Sequence, residues 1–378
     1  MKVALVCDWL TNVGGAEKVL LELHRMYPKA PIYTSQYNPK GIDWFKDADV
    51  RTGSLQKYPA KLRKLLGPLR QRWFARLDLS EYDLIISVTG AEAKAVKSGK
   101  WLHDNGRESK NPKGIHVCYC HVPTQYYWQM YDTYVKNPGF GVLNPIVRLF
   151  FRIMVRPLRR ADYKAAAVPD YYVTISEYSR RMIKKYYGRE SVVIHPPVEI
   201  EDFQRNIECH PLPSYYITTS RQVNWKRIDL AVRGCMMAQR RLLVIGEGPE
   251  HKKLVKLAEG SGLVEFLPLM KKEELVKYLA GAKGYLFPSL EPFGIAPVEA
   301  LAAGCPVIAY GEGGALDYVK EGKNGIFFKK QTAKSVAEAI LEFEKMKFSR
   351  EKVARSAGEF DIARFDREIK GFIDEKLK

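Results

Sequence analysis

Cysteine is scarce. The chain has six in 378 residues, Cys7, Cys118, Cys120, Cys209, Cys235 and Cys305. No two form a C-x-x-C pair, which excludes a disulfide framework and points to a reducing compartment. Cys118 and Cys120 share one strand face and read as buried residues, since no second pair supports zinc. Long apolar runs are missing too. No stretch reaches the roughly 18 uncharged apolar residues that cross a bilayer. The opening MKVALVCDWL lacks a long h-region and a small-residue cleavage site, so it reads as a first buried strand and not a signal peptide. The G-x-G-x-x-G fingerprint and the Walker lysine motif are absent, which argues against a nicotinamide dehydrogenase. No short-period repeat, low-complexity tract, or RRM or KH signature is present.

Acidic residues are in deficit: 43 Asp and Glu against 61 Lys and Arg, a formal charge of +18. Such an excess calls for an acidic partner, whether nucleic acid, anionic lipid or a phosphorylated substrate. Two segments concentrate it. KYPAKLRKLLGPLRQRWFAR (57–76) carries seven Lys and Arg and no acid. In NPIVRLFFRIMVRPLRRADYK (144–164), Arg148, Arg152 and Arg156 recur every four residues beside Leu149, Phe150, Ile153 and Met154, until Pro157 is expected to break the helix. A cationic stripe next to Phe, Leu and Trp has the composition of an interfacial helix on anionic lipid. A solvated helix with its apolar residues turned to the core has the same composition.

A chain of this length with 46% apolar residues favours two packed domains. Short β-rich runs alternate with helical stretches: VALVCD (3–8), DLIISV (83–88), IHVCYC (115–120) and YYVTIS (171–176), with a helix over about 16–27. The pattern restarts with YYITTS (215–220), LLVIG (242–246), VEFL (264–267), GYLFPS (284–289) and PVIAY (306–310). That alternation predicts an α/β fold of two doubly wound parallel-sheet domains. The expected division is 1–195, a proline-rich linker at 196–213, 214–358, and a closing amphipathic helix at 359–378 that packs back towards the first domain.

Three places could carry chemistry. Gly14 and Gly15 lie between the first strand and its helix, where backbone N–H groups and the helix dipole can approach a phosphate; a plain turn is the commoner meaning of such a pair. Arg221 and Lys226, in TSRQVNWKRID, follow the first strand of the second series, at the strand end where open α/β sheets bind ligands. A guanidinium fork plus an ammonium suits adjacent phosphates, although an exposed basic loop would look alike. In SLEPFGIAPVEALAAGCPVIAYGEGG (289–314), Glu291 and Glu299 flank a turn into a helix. Pro297 is expected in the first helical turn, with Glu299 in that turn and free N–H groups over 292–296. Each carboxylate can take the hydroxyls of a ribose or a sugar, or the two could serve as the acid and base of glycoside hydrolysis. The only D-x-D, Asp47-Ala-Asp49, falls in a segment predicted to be exposed and reads as chance.

The stretch EPFGIAPVEALAAGCPVIAYGEGGALDYVKEGKNGIFF resembles the E-x7-E region of retaining GT-B glycosyltransferases, family GT4. CYCHVPTQYYW, TISEYSRRMIKKYYG, VIHPPVEIEDF and SRQVNWK extend the likeness in order along the chain, which is most similar to mannosyltransferase-like members of O-antigen and exopolysaccharide synthesis. The resemblance implies the GT-B fold, two Rossmann-like domains facing a cleft, and a nucleotide-sugar donor, GDP- or UDP-linked with GDP-mannose taken first. It implies no cofactor and no metal. Arg221 and Lys226 would hold the diphosphate, with the backbone at Gly14 and Gly15 approaching it. Glu299 would take the ribose, and Glu291 the sugar beside the N–H groups of Phe293, Gly294 and Ile295. The base would rest near Leu267 and Pro268, and His121 would reach the sugar; on its own such a histidine is more often structural. The implied acceptor is a glycan or polyprenyl-pyrophosphate-linked saccharide, met in the cytoplasm at the inner membrane face, with 57–76 and 144–164 on anionic lipid and no nucleic-acid partner. A nucleotide-sugar 2-epimerase of the same architecture, or a basic nucleic-acid-binding protein on a degenerate transferase fold, are the alternatives.

Overall fold

The computed structural model describes residues 1–59, 66–136, 144–204 and 215–378. By contact the chain divides into two compact units. One is Met1–Pro196 with Asp366–Lys378, and the other is Pro197–Phe365. Each is built on a parallel sheet.

The first unit has seven strands: β1 (Val3–Cys7), β2 (Ile32–Thr34), β3 (Val50–Arg51), β4 (Leu84–Thr89), β5 (Ile115–Cys120), β6 (Tyr171–Thr174) and β7 (Val192–Val193), in the order β3-β2-β1-β4-β5-β6-β7. Every residue of β1, β4 and β5 is buried, as expected of strands covered by helices on both faces. Cys118 and Cys120 are part of this core, and the five described cysteines are all buried and free; Cys209 lies outside the described residues. The second unit has six strands: β8 (Tyr215–Thr219), β9 (Arg241–Ile245), β10 (Val264–Leu267), β11 (Gly284–Phe287), β12 (Val307–Tyr310) and β13 (Gly325–Phe328), in the order β10-β9-β8-β11-β12-β13. In both sheets the order reverses once, between β1 and β4 and between β8 and β11. Crevices form at such reversals, outside the carboxyl ends of the strands.

The apolar runs located nine of the thirteen strands among the described residues. β2, β3 and β7 escaped because two or three residues carry no measurable period, and β13 because GIFF sits inside a glycine-rich stretch. Within the part of 196–213 that is described, Ile200–Gln204 is helical and buries Ile200 and Phe203 in the second unit. Lys272 ties it down through Glu199 at 2.6 Å and Asp202 at 2.8 Å. Residues 205–214 lie outside the described residues. The closing helix spans Ile362–Leu377 and buries Phe365, Ile369 and Ile373.

Two expectations for the basic segments are corrected. Pro157 does not end its helix, which runs unbroken over Asn144–Ala166. The carbonyl that loses its partner belongs to Ile153, which is exposed, so water can serve it. In 57–76, of which 60–65 lie outside the described residues, Arg70 is no surface cation. It is buried, 2.6 Å from the Glu92 carboxylate and stacked over Trp9. Glu92 is 22 residues away, so nothing local to the sequence reveals the pair.

Behind β4 and β5 lies a second buried charge cluster. Asp162 Oδ1 accepts from Lys94 Nζ at 2.6 Å and Thr124 Oγ1 at 2.8 Å, while Oδ2 accepts from Trp128 Nε1 at 2.7 Å and Tyr187 Oη at 2.8 Å. Burial works against the Lys94 charge, but the Asp162 carboxylate outweighs it and holds the ammonium's pKa above its ordinary value.

The first unit also holds two neutral imidazoles, His116 fully buried and His121 half-buried with its Nε2 shut off from solvent. Burial pushes His116 down to about 3 and His121 down to about 4, the latter against the opposing charge of Asp8. Unfolding frees both to take protons below about 6.5. Stability should therefore be unaffected above that pH and fall as pH drops towards 4, by on the order of 4 kcal/mol at pH 5. Thermal melts between pH 7.5 and 5 check this, and a flat melting temperature across that window contradicts it.

Candidate functional site

At the reversal of the second sheet, the loop after β8 carries Arg221 and Lys226, and the loop after β11 carries Glu291. The structure brings two of these together: Lys226 Nζ lies 2.6 Å from Glu291 Oε1. The pair is neither buried nor free, with side chains 24% and 15% exposed. Ser289 Oγ donates to the same carboxylate oxygen at 2.7 Å. Lys226 ends a short 3-10 turn, Asn224–Lys226, and Arg227 then adopts a left-handed φ of 52° before the helix Ile228–Met237. That kink keeps the lysine at the sheet edge while the chain turns away. Arg221 is exposed on the same loop.

Beneath the pair, the buried Tyr285 hydroxyl contacts Thr219 Oγ1 at 3.1 Å and the Thr219 carbonyl at 2.9 Å. Burial raises the Tyr285 pKa, and the charges of Glu291 and Glu299 push the same way. Both carboxylates therefore lie within electrostatic reach of one hydroxyl. Tyr285 and Ser289 were not legible as site residues, because a Tyr in a strand and a Ser before a loop are unremarkable alone.

The loop 290–294 is held from behind. Gly294 has φ +100°, and a Cβ there would sit 2.6 Å from Cζ of Phe287. The Gly314 N–H donates to the Glu291 carbonyl at 2.8 Å, and a Cβ on Gly314 would lie 2.4 Å from the Pro292 carbonyl. The second glycine cluster is thus the bed on which the glutamate loop rests. Phe293 turns its ring into the core against Tyr318 and Phe360, leaving only its backbone for a ligand. The helix begins at Ile295 and not beyond 296. Glu299 is accordingly its fifth residue, in the second turn; the expected first-turn placement, and a loop reaching 296, are corrected. With Gly294 as N-cap, the helix starts earlier than Pro297 suggested.

Leu267 and Pro268 line a cavity of about 560 Å³ with Gly246, Glu247, Gly248, Pro249, His251, Lys252 and Phe266, at the carboxyl ends of β9 and β10. His251, Lys252 and Glu247 were not anticipated.

In the first unit, Asp8 follows β1 and accepts at the sheet's reversal from Thr89 Oγ1, at 2.9 and 2.8 Å, and from the N–H groups of Gly90 at 3.1 Å and Ala93 at 2.8 Å. His121 follows β5; its Nε2 is shut off from solvent with no partner among the described residues. Gly14 caps the helix Gly15–Met26, one residue earlier than expected, with Glu17 in its first turn. Asp47 and Asp49 are exposed, and Asp49 pairs with Arg51. Among the described residues no group of three His, Cys, Asp or Glu is placed to hold a metal ion, and no helix is long and apolar enough to cross a membrane.

Residues 199–360 match the family model described as Glycosyl transferases group 1. The chain is 26% identical to the uncharacterized glycosyltransferase YqgM of Bacillus subtilis (strain 168), over 49% of this chain and 54% of YqgM. It is 32% identical to a GDP-mannose-dependent alpha-(1-6)-phosphatidylinositol monomannoside mannosyltransferase of Mycobacterium tuberculosis (strain CDC 1551 / Oshkosh), over 33% of this chain and 37% of that protein. These matches thus span about half or less of the relatives' own length. Among solved structures, Anabaena Alr3699/HepE in complex with UDP superposes with a TM-score of 0.70 at 18% identity, covering 99% of this chain and 100% of that one. That likeness shows the fold, two Rossmann-like parallel-sheet domains of the GT-B type.

Proposed function

We propose that this protein is a glycosyltransferase that moves a hexose from a nucleotide sugar to a glycan or lipid-linked saccharide. The observation that carries the reading is the Lys226–Glu291 pair at the reversal of the second sheet, at 2.6 Å. An ammonium and a carboxylate that face the same crevice, both partly exposed, can part when a ligand offers the first a phosphate and the second a hydroxyl. The glycosyl transferases group 1 match over this unit supports the same reading.

In this account Lys226 and Arg221 grip the diphosphate and stabilise the charge that grows on it as the sugar departs. Glu291 orients the sugar, the N–H groups of Phe293, Gly294 and Ile295 assist, and Glu299 takes the ribose. The base occupies the cavity at Leu267 and Pro268. Gly14, Gly15 and His121 are assigned to the same donor and are tested by separate substitutions. The route is a front-face one that retains configuration. The leaving phosphate takes the acceptor's proton, so positioning and charge do the work. The two cations supply the countercharge, so the reading calls for no metal. GDP-mannose is the first donor to try, with UDP-hexoses next. A thermal-shift panel of nucleotide sugars tests this: binding to the folded state raises the melting temperature, and a panel with no shift rejects the reading.

The acceptor side is placed on anionic lipid at the cytoplasmic membrane face. The helix Asn144–Ala166 supports this. Ile146, Leu149, Phe150 and Ile153, spaced as one stripe, are 57–68% exposed, beside exposed Arg152 and Arg156. Vesicles with about a third anionic lipid should carry the protein upward in flotation at low salt and release it as salt screens the arginines. Absence of flotation at low salt removes the membrane from the account.

A further inference from the structure

The cavity at the ends of β9 and β10 contains a hydrogen-bond chain that fixes what it can read. Gln222 Nε2 donates to the Gly246 carbonyl at 2.6 Å, and its Oε1 lies 2.8 Å from Nδ1 of His251. A backbone carbonyl only accepts, so the amide nitrogen must face Gly246 and the amide oxygen must face the imidazole. An amide oxygen also only accepts, so Nδ1 of His251 must carry the hydrogen. In the neutral ring that leaves Nε2 with a lone pair. Nε2 has no hydrogen bond among the described residues, and the ring lines the cavity. Phe266 meets it edge-on at 5.6 Å and 86°, which limits its rotation. Lys252, next in sequence and also on the cavity wall, offers only donors.

The wall is stapled to the cationic loop. The Gln222 N–H donates to the Glu247 carbonyl at 2.8 Å, and the Glu250 N–H donates to the Gln222 carbonyl at 3.1 Å. A Cβ on Gly248 would come within 2.3 Å of that same carbonyl. Gln222 thus sits one residue after Arg221 and orients His251 in the neighbouring cavity.

We infer that His251 Nε2 accepts the imino N–H of the donor's base while Lys252 donates to the carbonyl beside it, so that the site selects guanine or uracil over adenine and cytosine. Guanine presents N1–H next to C6=O, and uracil N3–H next to C4=O. Adenine and cytosine place an acceptor nitrogen next to an amino group, the reverse of what the wall needs. This rests on the proposal above that the cavity takes a nucleotide base. Gln222 is a positioning residue: it acts on the base only through the imidazole.

The test is calorimetric titration of the full-length chain with UDP, GDP, ADP and CDP, repeated on His251→Phe and His251→Gln. A mismatched base leaves polar groups unpaired, so GDP or UDP should bind at least about tenfold more tightly than ADP and CDP. His251→Phe keeps a ring but no acceptor, and the preference should shrink to less than about threefold. His251→Gln, whose amide oxygen can accept, should keep it. Because His251 is partly exposed, melting temperatures of the variants should stay near that of the parent; if His251→Phe does not fold, His251→Ala supplies the same ratio. ADP or CDP binding as tightly as GDP and UDP overturns the base assignment while leaving a nucleotide site in place. A preference that survives in His251→Phe overturns the role of His251. Failure of all four nucleotides to bind overturns the cavity's assignment to a base, and this inference with it.

Discussion

Lys226→Ala should lower transfer from a nucleotide sugar by about 10²–10³-fold, the cost of removing one preorganised charge from a developing anion. The fold should tolerate the change. The pair with Glu291 is partly solvated, and such pairs contribute about 1 kcal/mol or less to stability. Lys226→Arg should rescue poorly, because a planar fork does not replace the compact point charge of the ammonium at a single 2.6 Å contact. Glu291→Gln should also be impaired, and the double variant should lose less than the two single losses combined, since each side chain positions the other. Steady-state rates with the donor identified by thermal shift, beside melting temperatures, decide the matter. A Lys226→Ala protein with near-parental kcat/KM removes the lysine from the chemistry.

The largest effect on stability is expected at Asp162. Replacing it with Ala strips four donors of their acceptor and leaves the Lys94 ammonium, 1% exposed, without a counter-ion. Breaking a buried pair from one side costs about 3–5 kcal/mol, and for a unit of this size that lowers the melting temperature by about 6–20 °C. A Lys94→Met/Asp162→Leu double variant should recover part of the loss, because no charge is then left buried alone. Denaturant melts of the three variants measure it. A single variant that loses under about 1 kcal/mol contradicts the view that this cluster holds the helix Asn144–Ala166 onto the sheet.

How legible the molecule was in its sequence followed from the range of the interactions. IHVCYC was bounded to the residue, because a strand buried along its whole length is dominated by apolar side chains. The proximity of Lys226 to Glu291 could be anticipated only by resemblance: 65 residues separate them, and only the placement of β8 beside β11 makes them neighbours. The glutamate loop was legible in composition but not in phase. Pro297 fits a first turn, yet the helix starts two residues before it, and Glu299 moves into the second turn. Buried ion pairs were invisible. Arg70 looked like one more surface cation until the fold placed Glu92 against it, and nothing local to the sequence joins Lys94 to Asp162. The orientation of Gln222 towards His251 depends on side-chain geometry that no sequence pattern encodes.

The most direct measurement is calorimetric binding of GDP-mannose and of UDP-glucose to the full-length protein and to its Lys226→Ala variant. The account predicts that at least one binds the parent and binds the equally stable variant at least about tenfold more weakly, since a charge-assisted phosphate contact is lost. Equal affinity for both proteins, or no binding to the parent, would contradict it.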